Sequence, residues 1–197
     1  VDTDLIGILK SKFASEIESK KFTLKHIDVL RAWDELKFLH DGKYDLIANL
    51  PYYIATNIIL RAFEDELCEH IIVMVQKEVA QKFTAKVNDK EYSSLGIMTE
   101  LISKESKILF DVPPTAFDPM PKVTSSVLYI KKDLSLKLDK DFNRFLKACF
   151  VQPRKKLSKN LSSILDKSKI LALYEELELS DNLRPHEVSS SLYSQMH

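Results

Sequence analysis

The residues whose types and spacing could do chemistry begin in the run Asp45-Leu46-Ile47-Ala48-Asn49-Leu50-Pro51-Tyr52-Tyr53. The apolar part reads as a short buried strand that stops near Asn49. Pro51 has no amide hydrogen for a ladder and biases Leu50 toward an extended backbone. In an open α/β sheet, ligands bind beyond the carboxyl ends of the strands. There the side-chain carbonyl of Asn49 and the backbone carbonyl of Leu50 can accept from an exocyclic amine. Tyr52 adds a flat face on which a base can stack. Two acceptors and an aromatic face suit an amine on a planar ring. The plainer reading of the same residues is a strand and a tight turn whose tyrosines only pack.

Other residues extend this chemistry. Asp2 and Asp28, with Asn49, stand at or near expected strand ends, where polar side chains converge on a nucleoside: one carboxylate for the ribose, one for the adenine amine. Asp28 also reads as a helix cap. Phe117 lies in Pro113–Lys122, a stretch with four prolines in ten residues. An aromatic on so stiff a loop is either a second stacking face for a flipped adenine or a core residue beneath the loop. Glu78 at a strand-to-helix turn reads as a base or loop partner, or as an ordinary helix-start acid. Arg154-Lys155-Lys156, with Lys147 and Lys159, cluster cations at helical spacing. They would contact phosphates without reading sequence, or form a solvated face. His26, His40, His70, His186 and His197 show no metal-ligand spacing, so no metal is expected. Cys68 and Cys149 lack a CxxC partner and read as reduced thiols.

The elements that must position these groups alternate. A helix capped by Thr3 or Asp4 carries Leu5, Ile6, Leu9, Phe13 and Ile17. Phe22–Ile27 reads as a strand ending at Asp28, followed by a short helix with Trp33 and Leu36. Tyr44–Ala48 is a strand, Thr56 opens a helix, and His70–Val75 is the next buried strand, turning at Gln76–Val79 into another helix. A helix around Leu95–Ser103 precedes strands at Lys107–Val112 and Val123–Ile130. Strand and helix at this pace predict a doubly wound α/β sheet. Beyond residue 132 the strand signals stop, and helices are expected at Asp139–Phe150, Arg154–Ile164, Ser168–Leu177 and Pro185–Tyr193. The predicted division is therefore 1–132 and an all-helical 133–197.

The bulk composition is that of a globular chain: 197 residues, 45% hydrophobic, 29% charged. No apolar run is long enough to span a membrane and no signal-peptide layout opens the chain, so the expectation is cytoplasmic with no membrane partner. Net charge is zero, but residues 131–170 hold twelve Lys/Arg against four Asp/Glu. That segregation starts where the helical part starts and points to a polyanionic partner.

Four motifs together resemble the bacterial small-subunit rRNA adenine N6,N6-dimethyltransferases, relatives of the macrolide-resistance rRNA methylases. They are Asn49-Leu50-Pro51-Tyr52, Gln76-Lys77-Glu78-Val79, Phe117-Asp118-Pro119-Met120-Pro121-Lys122-Val123-Thr124-Ser125, and Phe150-Val151-Gln152-Pro153-Arg154-Lys155-Lys156. Pro153 stands where the family usually has an arginine, which removes one phosphate contact. The resemblance implies a Rossmann-like class I S-adenosylmethionine-dependent methyltransferase sheet with a small helical C-terminal domain. It implies a monomer that dimethylates two adjacent adenosines near the 3′ end of small-subunit rRNA, in an immature small ribosomal subunit.

By the same resemblance, Asn49, Leu50, Pro51 and Tyr52 are the catalytic loop, and Tyr52 and Phe117 sandwich the base. Asp28 and Val29 would hold the cofactor's adenine, with Asp2 beside the ribose-binding acid and Asn49 also facing the cofactor. Lys122, Lys147, Arg154, Lys155, Lys156 and Lys159 would contact RNA. The Gly-rich loop and first strand are expected upstream of Val1, so the chain by itself is expected to be inactive. A non-catalytic ribosome-assembly factor, or a methylase of another nucleic-acid adenine, is the alternative.

Overall fold

Asp2, rather than Thr3 or Asp4, caps the opening helix α1 (Thr3–Lys12): its carboxylate accepts from the Leu5 amide at 3.0 Å. This satisfies one of the amides that a helix start leaves unpaired. The computed structural model describes residues 2–36, 39–137 and 139–197. The chain separates into two compact units, Val1–Asp41 and Gly42–His197.

In the first unit the apolar stripe of α1 passes through Phe13 into α2 (Ala14–Glu18), and the Phe13 and Phe22 rings lie 5.2 Å apart. The strand expected at Phe22–Ile27 does not form; these residues have no ladder. Alternation gives a segment two faces, but only hydrogen bonds to a neighbouring chain make it a strand. The expected short helix is α3 (Val29–Leu36), with Ala32 and Trp33 buried.

The second unit is built on a four-stranded sheet in the order β1-β2-β4-β3. Strand β1 (Tyr44–Asn49) runs parallel to β2 (Cys68–Gln76). β3 (Ser103–Val112) and β4 (Ser125–Lys132) are antiparallel to each other, and β4 is antiparallel to β2. β1 is not buried on both faces as its apolar sequence suggested. It alternates between half-buried and exposed, with Ile47 72% exposed, because residues of opposite parity point to opposite faces of the sheet and the face that carries Ile47 is left open. In β2, Ile71, Val73 and Val75 are fully buried, and in β4 Leu128 and Ile130 are too. The register sets Ile71 opposite Ile130 and Val73 opposite Leu128, so these side chains share one face.

Helix α4 (Ala55–Glu64) links the parallel pair, and α5 (Lys77–Thr84) and α6 (Ser94–Ile102) lie between β2 and β3 in the chain. Ile58, Ile59, Ala62 and Phe63 of α4 and Ala80 and Phe83 of α5 supply the buried faces. Phe63 meets Phe83 edge to face at 5.8 Å, a favoured aromatic geometry.

The far end of β4 carries a buried cation. Lys132 is 4% exposed, and its ammonium donates to the carbonyls of Ala62 and Asp65 at 2.6 and 2.5 Å. A positive charge on the last carbonyls of α4 complements the helix dipole, while burial pushes the lysine below its ordinary pKa. Asp65 in turn accepts from the Tyr44 hydroxyl at 2.6 Å. Lys132 therefore belongs to the core and not to the basic surface in which its sequence position placed it.

After β4 come α7 (Lys140–Cys149), α8 (Leu157–Leu161), α9 (Lys167–Glu176), a 3-10 turn at Pro185–Glu187, and α10 (Ser190–Met196). Phe142, Phe145, Leu146 and Cys149 recur at helical spacing on α7 and are buried. Both α7 and α10 pack on α6. Tyr193, fully buried, donates to the Pro185 carbonyl at 2.9 Å.

Gly96 lets α6 approach α5 by backbone contact. A Cβ there would lie 2.9 Å from the Ala85 carbonyl oxygen and 3.2 Å from that of Lys82, neither of which can rotate away. Overpacking of this kind costs about 1–3 kcal/mol, against a helix-propensity gain of about 1 kcal/mol. Gly96→Ala is therefore expected to lower the urea midpoint. Gly7→Ala on α1, where a Cβ meets nothing within 4 Å, is expected not to lower it.

Candidate active site

The acceptor loop leaves β1 as its sequence predicts. The Leu50 amide still donates to the Met74 carbonyl at 3.1 Å, and the Pro51 carbonyl accepts from the Ile54 amide at 3.1 Å, closing a turn before α4. Leu50 is buried, Asn49 is exposed, and neither the Asn49 side chain nor the Leu50 carbonyl has a hydrogen-bond partner among the described residues. Two adjacent acceptors thus stand without partners among the described residues at the carboxyl end of a parallel strand. Tyr53 is 86% exposed, whereas Tyr52 is half-buried and fixed: its hydroxyl lies 2.7 Å from Ser125 Oγ.

Ser125 is the point where the chain's carboxyl-end loops meet. It is fully buried, opens β4, and sits opposite both Gln76 at the end of β2 and Val112 at the end of β3. Next to it the Lys77 amide donates to the Thr124 carbonyl at 3.0 Å. Ser126 donates to Asp111 at 2.7 Å, and the Lys77 ammonium reaches the same carboxylate at 2.6 Å. The lysine, then the serine, holds the Asp111 carboxyl below its usual range. A depressed carboxylate adds stability above the unfolded-state pKa, and that stability is lost as pH falls through the folded value. Gln76, Lys77, Glu78, Gln81, Val123 and Thr124 line an adjoining cleft of about 280 Å³.

The proline-rich loop returns to this hub. Pro114–Ala116 make a 3-10 turn, the Phe117 amide donates to the Pro114 carbonyl at 3.2 Å, and Phe117 is half-buried without another aromatic ring against it among the described residues. Lys122 is exposed just before the strand. Sequence reasoning missed Ser125 as an anchor, although the tract Thr124-Ser125-Ser126 at a strand start, polar where a core strand begins, was the available signal.

The cations lie in the helical part. Lys147 is exposed on α7, Arg154, Lys155 and Lys156 on the turn before α8, and Lys159 on α8. None of these five forms an ion pair among the described residues. Elsewhere in the block, Lys137 pairs with Glu66 at 2.6 Å and Arg144 with Asp141 at 3.1 Å. The basic turn is held by Asn160, a second residue the sequence did not flag. It is 4% exposed; its oxygen accepts from the Gln152 amide at 2.7 Å, and its amide nitrogen donates to the carbonyls of Gln152 and Lys156 at 3.1 and 3.2 Å. A lone amide between Leu157 and Leu161 was its only signal.

In the first unit Asp28 is a helix cap, as the plainer reading held: one carboxylate oxygen accepts from the amides of Leu30 and Arg31 at 3.0 and 3.2 Å. The other oxygen has no hydrogen-bond partner among the described residues. Asp28 also lines a pocket of about 460 Å³ with His26, Ile27, Arg31, Ala32 and Glu35. Ile27 and Ala32 give this pocket its apolar surface, and His26, Asp28, Arg31 and Glu35 its polar lining. Val29 opens α3, and Asp2 caps α1 outside this pocket.

Cys68 and Cys149 are buried, and burial pushes their thiols up to about 11 and about 12, so neither is poised as a nucleophile. Among the described residues no three His, Cys, Asp or Glu side chains group as metal ligands, and no helix is long and apolar enough to cross a membrane.

A mixed sheet with helices and an Asn-Leu-Pro-Tyr turn at a strand's carboxyl end defines a Rossmann-like methyltransferase fold. The chain superposes on a dimethyladenosine transferase from Plasmodium falciparum with a TM-score of 0.78 at 20% identity, covering 100% of this chain and 78% of the other. It superposes on the 23S rRNA methyltransferase ErmE with a TM-score of 0.69 at 18% identity, covering 100% and 78%. Residues 1–196 match the ribosomal RNA adenine dimethylase family. A ribosomal RNA small subunit methyltransferase A from Aliarcobacter butzleri (strain RM4018) is 80% identical over 197 residues, which are 100% of this chain and 74% of that protein. Its namesake from Sulfurimonas denitrificans (strain ATCC 33889 / DSM 1251) is 49% identical, covering 100% and 72%. The chain belongs to the ribosomal RNA adenine dimethylase family.

The Tyr52–Ser125 clasp is open to a double-mutant test. Tyr52→Phe and Ser125→Ala are each expected to cost about 1 kcal/mol in urea unfolding. The double variant is expected to cost no more than the larger single, because both remove the same bond.

Proposed function

We propose that this chain transfers methyl groups to the N6 amines of two adjacent adenosines near the 3′ end of small-subunit rRNA, within an immature small ribosomal subunit. Family membership supplies the reaction class, S-adenosylmethionine-dependent dimethylation of adenine N6 in rRNA. The observation that carries the site is the pair of acceptors without partners among the described residues, the Asn49 side chain and the Leu50 carbonyl, beside the anchored Tyr52.

Adenine N6 is a poor nucleophile because its lone pair is delocalised into the ring. Acceptors at Asn49 and Leu50 would take the amine hydrogens and favour the pyramidal geometry that attack requires. Pro51 fixes the turn, and Tyr52 and Phe117 hold the ring between them. This is catalysis by positioning and preorganised dipoles. S-adenosylmethionine, when bound, supplies an electrophilic methyl on its sulfonium. By the family resemblance, Asp28 and Val29 would hold the cofactor's adenine, Asp2 stands beside the ribose-binding acid, and Asn49 would also contact the cofactor.

In this reading residues 1–132 carry the chemistry and 133–197 dock on rRNA through Lys147, Arg154, Lys155, Lys156 and Lys159, with Lys122 from the catalytic side. The protein acts as a cytoplasmic monomer.

Full-length protein offered under-methylated small subunits and labelled S-adenosylmethionine is expected to deposit label as N6,N6-dimethyladenosine. Asn49→Ala is expected to slow this by about 10²–10³ while leaving subunit affinity unchanged. Tight subunit binding with no transfer by the parent protein would make it an assembly factor. Replacing Arg154, Lys155 and Lys156 together by alanine is expected to flatten the log–log salt dependence of RNA affinity by about 2, at about 0.7 per phosphate contact on single strands.

A further inference from the structure

Between α8 and α9 lies an open groove of about 760 Å³ that the basic turn does not account for. Lys167, Ile170, Leu171 and Tyr174 recur at helical spacing, so one face of α9 forms its floor. Leu171 is 60% exposed there, an apolar side chain with nothing over it. Tyr174 is 7% exposed, and its hydroxyl is buried beside Ser158. Asp166 stands at the N-cap of α9, but its carboxylate does not accept from the helix amides. Lys156, Lys159 and Lys167 rim the opening, continuous with Arg154 and Lys155.

We propose that this groove takes one unstacked nucleobase of the RNA, with the flanking phosphates on Lys156, Lys159 and Lys167. The apolar floor receives the face of the base, and the lysines neutralise the backbone on either side of it. Asp166 and Asp181, also at the rim, accept from amino groups on the base edge. A base paired in a duplex presents neither its face nor its full edge, so the groove selects single-stranded RNA. This assignment rests on the reading that the chain acts on RNA. It adds that the helical part reads bases as well as charge.

The test compares binding of full-length protein to a short labelled single-stranded RNA and to the same strand with an abasic site at its centre. Phosphate contacts are identical in the two, so their ratio isolates the base. The parent is expected to bind the intact strand about tenfold more tightly, the scale of one stacked base. Leu171→Glu, at an exposed position, is expected to bring the ratio to one. The added charge weakens both strands alike and cancels in the ratio. Lys169→Ala, exposed on α9 outside the groove, is expected to preserve it. Equal binding of both strands by the parent, or an unchanged ratio in Leu171→Glu, overturns the groove assignment. If methylation of small subunits persists in that case, the assignment falls alone. If the parent binds neither strand and transfers no methyl to subunits, the RNA reading falls with it.

Discussion

The candidate site depends on the direction of one strand. β4 runs antiparallel between β2 and β3, which brings its first residue, Ser125, to the carboxyl ends of its neighbours. A parallel β4 would deliver the proline-rich loop to the opposite edge, away from Asn49 and Tyr52. With β4 as it is, the hydroxyl bond from Tyr52 to Ser125 at 2.7 Å ties the acceptor loop to the strand that the Phe117 loop feeds. One hydroxyl pair thereby couples two loops more than sixty residues apart in sequence.

The two ends of β4 are both polar clasps, buried at Ser125, Ser126 and Lys132 and exposed at the Lys77–Asp111 pair. At one end are Ser125 with Tyr52, and Ser126 with Asp111 and Lys77; at the other, Lys132 closes the C-terminus of α4. Between them Leu128 and Ile130 lie in the core. Buried polar groups that are fully paired fix position more strongly than apolar contact, because any shift leaves a donor unsatisfied in low dielectric. Such pinning suits a site whose proposed work is to hold an amine in one geometry.

The basic segment divides along the same line between burial and exposure. Lys132 is drawn inward by helix carbonyls, and Lys137 and Arg144 are matched by acids. Lys147 and the Arg154–Lys156 turn with Lys159, which form no ion pair among the described residues, stand on α7 and around α8, where Asn160 and the α8 backbone hold the turn. Charge counted along a sequence overstates charge offered to a partner, and the difference is decided by neighbours that the count does not see.

By itself the sequence determined the Asn49–Tyr52 loop, the proline-stiffened approach to Phe117, the alternation of strand and helix, and the helical end of the chain. Each rests on local chemistry: a proline that ends a ladder, β-branched runs, apolar spacing at 3.6 residues. Only the tertiary structure decided that Phe22–Ile27 is not a strand, that β1 is exposed on alternate residues, and that Asp2 and Asp28 are caps. The same holds for Lys132 as core and for Ser125 and Asn160 as anchors. A strand requires a neighbour, burial requires a covering element, and a buried polar group requires partners distant in sequence. None of these can be read from a residue's own neighbourhood, because long-range packing supplies them.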